Sequence, residues 1–434
     1  MTATKHRRTA VEYWHSTNQI LSVFAMGLYA GIFGPSLLDL AEIYSGEPSE
    51  IAIVNSTKSI GSLIGSIIGG YFFTIMNDQI MLIIMLVLSG TTAMSFPLLV
   101  EFGGSSSLHA SAFISGAAGG IFRIGSQVRL VRIWKDKSAS ALQAFHTAFG
   151  VGAMMAPFMA APFLSVRAED NSVIEETRLW IPYVIFGAVF GLILVSMVCV
   201  FCIDPSNIEK EKREDGNTDT SQRTFEIILV SLLFIYLLIY VNTEVIFSAL
   251  LSVYAVKSPS LQFSKSEAAY LSALFWTTFT GGRVVSIFTA IYFNLETLLW
   301  ISHILLIVSS VMLIAFSGSG LCTCIGTAIF GLGLSSLYGA ASGHAFDYFV
   351  VRHFHLSAIS IAGSLGVAVS SYFIPPIVDE WPIFLQWYTG VNNVLLFFVL
   401  VGMLWVTRDR VKVYAAEKSS PIGTEPDCNQ TKFA

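Results

Sequence analysis

Residues 204–224 read DPSNIEKEKREDGNTDTSQRT, and ten of these twenty-one residues are charged, so the segment cannot sit in hydrocarbon or pack as a core. On both sides the composition inverts. The chain of 434 residues is 54% hydrophobic and 12% charged, with a mean hydropathy of +0.68. A soluble domain carries about 25% charged residues, so this chain is expected to use a bilayer as solvent. The charged run then reads as a solvated linker between two apolar bodies. It divides the chain into 1–203, the linker 204–224, a second body 225–406 and a polar tail 407–434.

Crossing about 30 Å of hydrocarbon as helix takes about 20 apolar residues. Twelve windows meet that length: 17–40, 51–75, 80–100, 108–131, 141–164, 179–203, 226–256, 266–292, 297–316, 321–345, 355–377 and 383–406. Six fall on each side of the linker. The distribution of Lys and Arg tests this count independently, because cytoplasmic loops hold an excess of both. With the N-terminus in the cytoplasm, 17 of the 24 fall inside. These are Lys5, Arg7 and Arg8, four in 129–140, four in 204–224, Arg352 and five in the tail. Arg167, Arg178, Lys257 and Lys265 alone fall outside. The expectation is an all-α, multi-pass membrane protein of twelve transmembrane helices in two six-helix halves, both termini cytoplasmic, in the plasma membrane or an internal one. Two such halves with a site near the midplane are the layout of a secondary transporter.

Other classes lose ground on the same residues. A formal charge of −5 without a long basic run argues against nucleic acid as a partner. The five cysteines have neither metal-ligand spacing nor a disulfide framework. The first apolar stretch is too long for a cleaved signal, so it reads as a first span. No nucleophile and base arrangement appears, and Gly331-Leu332-Gly333 reads as packing rather than a phosphate loop, so an enzyme is not expected. The lipid bilayer and a small molecule are the expected partners, and no oligomer is required.

Ionisable groups inside spans are expensive and therefore informative. Four stand out: Lys58, about 12 Å into the second span, Arg123 in the fourth, Glu244 in the seventh and Arg283 in the eighth. Lys58 and Arg123 are long enough to snorkel toward headgroups. Glu244 and Arg283 could instead form a structural ion pair. His146 of the fifth span, beside Gln143, joins the candidates, or it is a packing histidine. Small residues mark close helix crossings. Glycines four apart run along Gly61-Ser62-Leu63-Ile64-Gly65-Ser66-Ile67-Ile68-Gly69, and Gly150 and Gly152 precede Pro157.

The chain resembles the major facilitator superfamily, and within it the sodium-dependent glucose transporter-like branch that includes the major facilitator domain-containing 4 proteins. The segments that carry the resemblance are Gly34-Pro35-Ser36-Leu37-Leu38-Asp39-Leu40, Gly61 to Gly70, Gln143-Ala144-Phe145-His146 with Phe149-Gly150-Val151-Gly152-Ala153, Tyr240-Val241-Asn242-Thr243-Glu244, and Ser264-Lys265-Ser266-Glu267 through Phe275-Trp276 to Gly282-Arg283. The resemblance implies the major facilitator fold, and a sugar as the solute. Gln143, His146, Asn242 and Trp276 would then contact hydroxyl groups, and Glu244 would orient substrate or couple an ion. Arg123 and Arg283 could bind a carboxylate or phosphate. Lys58, Asp39, Gly150 and Gly152 would serve gating or structure. No cofactor is expected beyond a coupling Na+ or H+.

The chain also departs from the pattern. The loop after the second span reads Gly70-Tyr71-Phe72-Phe73-Thr74-Ile75 where the superfamily has Gly-x-Leu-x-Asp-Arg, and the fourth span places Arg123 where the related transporters have an acidic residue. The overall expectation is an alternating-access transporter of a small polar solute, a sugar by resemblance. The rival expectations are an organic-anion transporter and a non-transporting membrane scaffold with a transporter fold.

Overall fold

A backbone in hydrocarbon must satisfy its own hydrogen bonds, and a helix does so within one segment. The protein's structure, a computed structural model, describes residues 2–134, 138–167, 173–205, 220–349 and 353–412. Its first body comprises α1 (Thr2–Gly31), α2 (Phe33–Ile43), α3 (Pro48–Ala52), α4 (Val54–Ile75), α5 (Asp78–Ser95), α6 (Gly104–Trp134), α7 (Ser138–Ala160) and α8 (Trp180–Ile203). A two-stranded antiparallel hairpin, β1 (Val166–Arg167) and β2 (Val173–Glu175), joins α7 to α8. The second body comprises α9 (Thr220–Lys257), α10 (Lys265–Tyr292), α11 (Leu295–Ala315), α12 (Gly320–Ser335), α13 (Leu337–Phe346), α14 (His353–Glu380) and α15 (Phe384–Thr407). Linker residues 206–219 and tail residues 413–434 lie outside the described residues.

These helices form twelve rods in the order of the twelve windows, because three windows are interrupted. α1 and α2 meet at a 53° bend. Pro35 causes it: the ring has no N–H to give the Gly31 carbonyl and crowds it. α3 passes into α4 at Ile53, and α12 into α13 at Ser336. Among the described residues nine rods are long and apolar enough to cross a membrane, and the bent α1–α2 pair makes a tenth. The other two, α6 and α10, have 31 and 28 residues and thus ample length. They fall short in hydropathy because they carry polar residues, Arg123 and Arg283 among them.

Helix starts follow local chemistry. Asn77 accepts from the backbone of Gln79 and Ile80, and Asn294 and Ser319 do the same for α11 and α12. Ser264 and Glu267 form a reciprocal capping box at the start of α10.

The glycine ladder of the second window decides how the first half packs. A Cβ on Gly61 or Gly65 would strike the backbone carbonyls of Phe113 or Ala117 in α6. Reciprocally, one on Gly116 or Gly120 would meet the carbonyls of Lys58 or Ser62. α4 and α6 therefore touch backbone to backbone. Gly152 plays the same part between α7 and α1, facing the Phe24 carbonyl. The second half repeats the scheme, with Gly366 of α14 against the Leu238 carbonyl of α9 and Gly331 of α12 against the Phe275 carbonyl of α10.

Among the described residues the most extensive contacts between the halves are α4 with α14, α7 with α10, and α2 with α9. Their polar links gather away from the face where α1 begins and α15 ends. Ser56 Oγ donates to the Ala368 carbonyl at 2.5 Å, and Ser266 Oγ to the Ala161 carbonyl at 3.2 Å. That side is called the distal face below.

Candidate substrate-binding site

Residues three, four or seven apart on a helix share a face, and this periodicity assembles a polar cluster between the halves. Lys58 and Ser62 lie one turn apart on α4, Tyr240 and Glu244 one turn apart on α9, and Phe279 and Arg283 one turn apart on α10. The Lys58 ammonium rests 4.2 Å from the centre of the Tyr29 ring. Arg123, near the middle of α6, donates from Nη2 to Ser62 Oγ at 2.7 Å and from Nε to the Gly119 carbonyl at 3.3 Å. It is nevertheless exposed. Its charge is felt by Lys58, by His146 and by Tyr338 of the opposite half, which places the guanidinium on the side of α6 that faces the other half.

Across that space Arg283 Nη2 stands 4.0 Å from Glu244 Oε2. This is a loose pair, bridged by Tyr240, whose side chain interacts with both partners while its hydroxyl donates to the Leu334 carbonyl at 3.1 Å. The guanidinium also lies over the Phe279 ring at 4.2 Å. His146 is half-buried and senses both Arg283 and Arg123. Four of the seven expected binding residues, Arg123, His146, Glu244 and Arg283, therefore meet in one place.

The other three do not join them equally. Asn242 lies two residues from Glu244, about 200° around the helix, so the two cannot share a face. Its Nδ2 donates to the Tyr388 hydroxyl at 2.5 Å, and Tyr388 in turn donates to Ser370. Trp276 is only 5% exposed, held in an aromatic cluster with Phe275 and Phe279. It reaches the other half edge-on at Phe149, centroids 6.5 Å apart. Gln143 is exposed, one turn from His146.

The expected gating residues separate too. Asp39 is fully buried near the distal face. It accepts from Ser165 N at 2.8 Å, from Ser165 Oγ at 2.9 Å and from Lys265 Nζ at 2.6 Å. Lys265 belongs to the other half and also pairs with Glu42 at 2.5 Å, while Arg167 holds Glu42 at 3.1 Å. A Cβ on Gly150 would stand 2.7 Å from Thr280 Oγ1 of the opposite half, so this glycine sets how closely α7 and α10 approach. Lys58 lies in the central cluster and not at a face.

Two charges assigned by composition to loops are corrected. Lys265 is largely withdrawn into the distal seal, and Arg129 is 3% exposed, bound to Asp78 at 2.6 Å. Tyr240, Tyr338, Ser62 and Tyr29 were not foreseen in the site. The one-turn spacing of Tyr240 and Glu244 was a usable signal; Tyr338 had none.

Residues 20–371 match the Major Facilitator Superfamily. The chain belongs to that superfamily. A human relative, sodium-dependent glucose transporter 1, is 27% identical over 371 residues, covering 80% of this chain and 70% of that protein. Major facilitator superfamily domain-containing protein 4A of Danio rerio is 24% identical over 486 residues, covering 94% and 91%. Both fall in the branch indicated by the motifs of the first eight spans. A solved D-xylose-proton symporter has the same fold with a TM-score of 0.67 at 13% identity, covering 92% of this chain and 98% of that one. In this superfamily member, the first half supplies Lys58, Arg123 and His146 to the central cluster, and the second half supplies Tyr240, Glu244, Arg283 and Tyr338.

Proposed function

We propose that this multi-pass membrane protein carries a sugar by alternating access, with the central cluster as its binding site and both termini in the cytoplasm. The observation that carries the reading is the position of that cluster. Its polar residues come from both halves, Arg123 at its edge is exposed, and the inter-half links of Lys265, Ser266 and Ser56 lie toward one face. Rocking the halves about the α7–α10 and α4–α14 contacts would exchange which face is closed. The names of the human relative and of the solved symporter support a sugar as the solute.

Glu244 is the carboxylate suited to ion coupling. Its partner Arg283 stands at the outer limit of an ion pair, so a cation or proton could exchange with the guanidinium as the halves move. Gln143 and His146 would hydrogen-bond sugar hydroxyls, and Trp276 would offer an aromatic edge where the halves meet.

Uptake of labelled glucose into proteoliposomes, with and without Na+ or proton gradients, tests this. Gradient-driven accumulation is expected, and Glu244→Gln should leave only equilibration that ignores the gradient. No uptake under any gradient would refute the sugar reading.

A further inference from the structure

We propose that the site contains an anion subsite, built by Lys58 and Arg123, and that the preferred solute is an acidic sugar bearing a carboxylate. This deepens the reading above and rests on it for the sugar part. Among the described residues neither cation has a carboxylate partner: Lys58 faces the Tyr29 ring, and Arg123 bonds to a hydroxyl and a backbone carbonyl. Other cations withdrawn into the fold have carboxylate partners, Arg283 with Glu244, Lys257 with Asp379, Lys265 with Asp39 and Arg129 with Asp78.

Two cations on adjacent helices repel each other, and holding both inside a membrane protein is unfavourable unless something neutralises them. Snorkelling does not explain them. Arg123 turns across to Ser62 of α4, and Lys58 turns toward Tyr29, so neither reaches for a headgroup. A guanidinium has five N–H donors, and Arg123 spends Nε and part of Nη2 on the protein, leaving Nη1 free to meet a carboxylate. The ring hydroxyls of the same solute would then face Tyr240, Tyr338 and Glu244 of the opposite half.

The test compares glucuronate with glucuronamide, an uncharged near-isostere, as ligands that raise the melting temperature of the purified full chain in detergent. Wild type should bind the acid at least tenfold more tightly than the amide, and Lys58→Gln and Arg123→Gln should each bring that ratio toward one. Sulfate at equal concentration distinguishes a free anion from one carried by the sugar. Equal affinity for acid and amide, or protection by sulfate that matches glucuronate, would overturn the proposal whether or not glucose is transported. Charge-selective binding without uptake of either sugar into proteoliposomes would sustain the subsite and defeat the transport reading.

Discussion

Lys265 shows how much depends on a single side chain. Among the described residues it is the one cation of the second half that reaches Asp39 and Glu42 of the first, and Asp39 is fully buried. Removing one member of a buried pair costs about 3–5 kcal/mol. That loss falls on the distally sealed state, because rocking the halves apart would separate the partners. Lys265→Met should therefore shift the population toward distal opening. A cysteine at Ala161, now 2% exposed, should then react with a membrane-impermeant maleimide at least tenfold faster than in the Lys265 background. Unchanged labelling would show that the network does not hold the seal. Charge asymmetry places Lys265 in an outer loop; in the structure it is the first residue of α10. Its ammonium turns inward because the carboxylates of α2 lie across the interface.

Within elements, the α4–α6 crossing has the most closely defined chemistry. Gly61→Val would drive a side chain into the Phe113 carbonyl, and overpacking of this kind costs about 1–3 kcal/mol or more. Gly119→Ala on α6 meets nothing within 4 Å and gains about 1 kcal/mol of helix propensity. Melting of the detergent-solubilised protein should fall by several degrees for the first and hold or rise for the second; equal behaviour would mean that the crossing is not close-packed. Spacing along the chain was enough to foresee this face, since glycines four apart must stack on one side of a helix. The bend before Pro35 and the cap at Ser264 are likewise local, because each depends on residues within one turn. The fates of Asn242 and Glu244 were harder to read. Helical rotation forbids a common face, yet only the neighbouring α15, with Tyr388, shows which of the two leaves the cavity.

The two halves as whole bodies make a prediction of their own. Ser266 Oγ lies 3.2 Å from the Ala161 carbonyl across their interface. In a background without native thiols, Ala161→Cys with Ser266→Cys should form a disulfide that holds the distal face shut. Uptake should fall by at least tenfold on oxidation and recover with a reductant. Full cross-linking with undiminished uptake would mean that the halves need not part there.

Lipid makes the helical order of this chain a local matter. Each apolar window must close its own backbone hydrogen bonds, so window length, the charged linker and the bias of Lys and Arg were sufficient for an all-helical chain in two bodies. Proline and glycine placement added where rods bend and cross. Which charges meet was not local. Lys265 and Asp39 are 226 residues apart, and Arg123 and Ser62 are 61 apart. Such partners are selected by how the rods are arranged around the cavity, and side-chain pairing energies depend on that arrangement and not on sequence separation. The list of buried ionisable suspects was therefore readable from the chain, while the division into a central cluster and a distal seal came from the packing of the two halves.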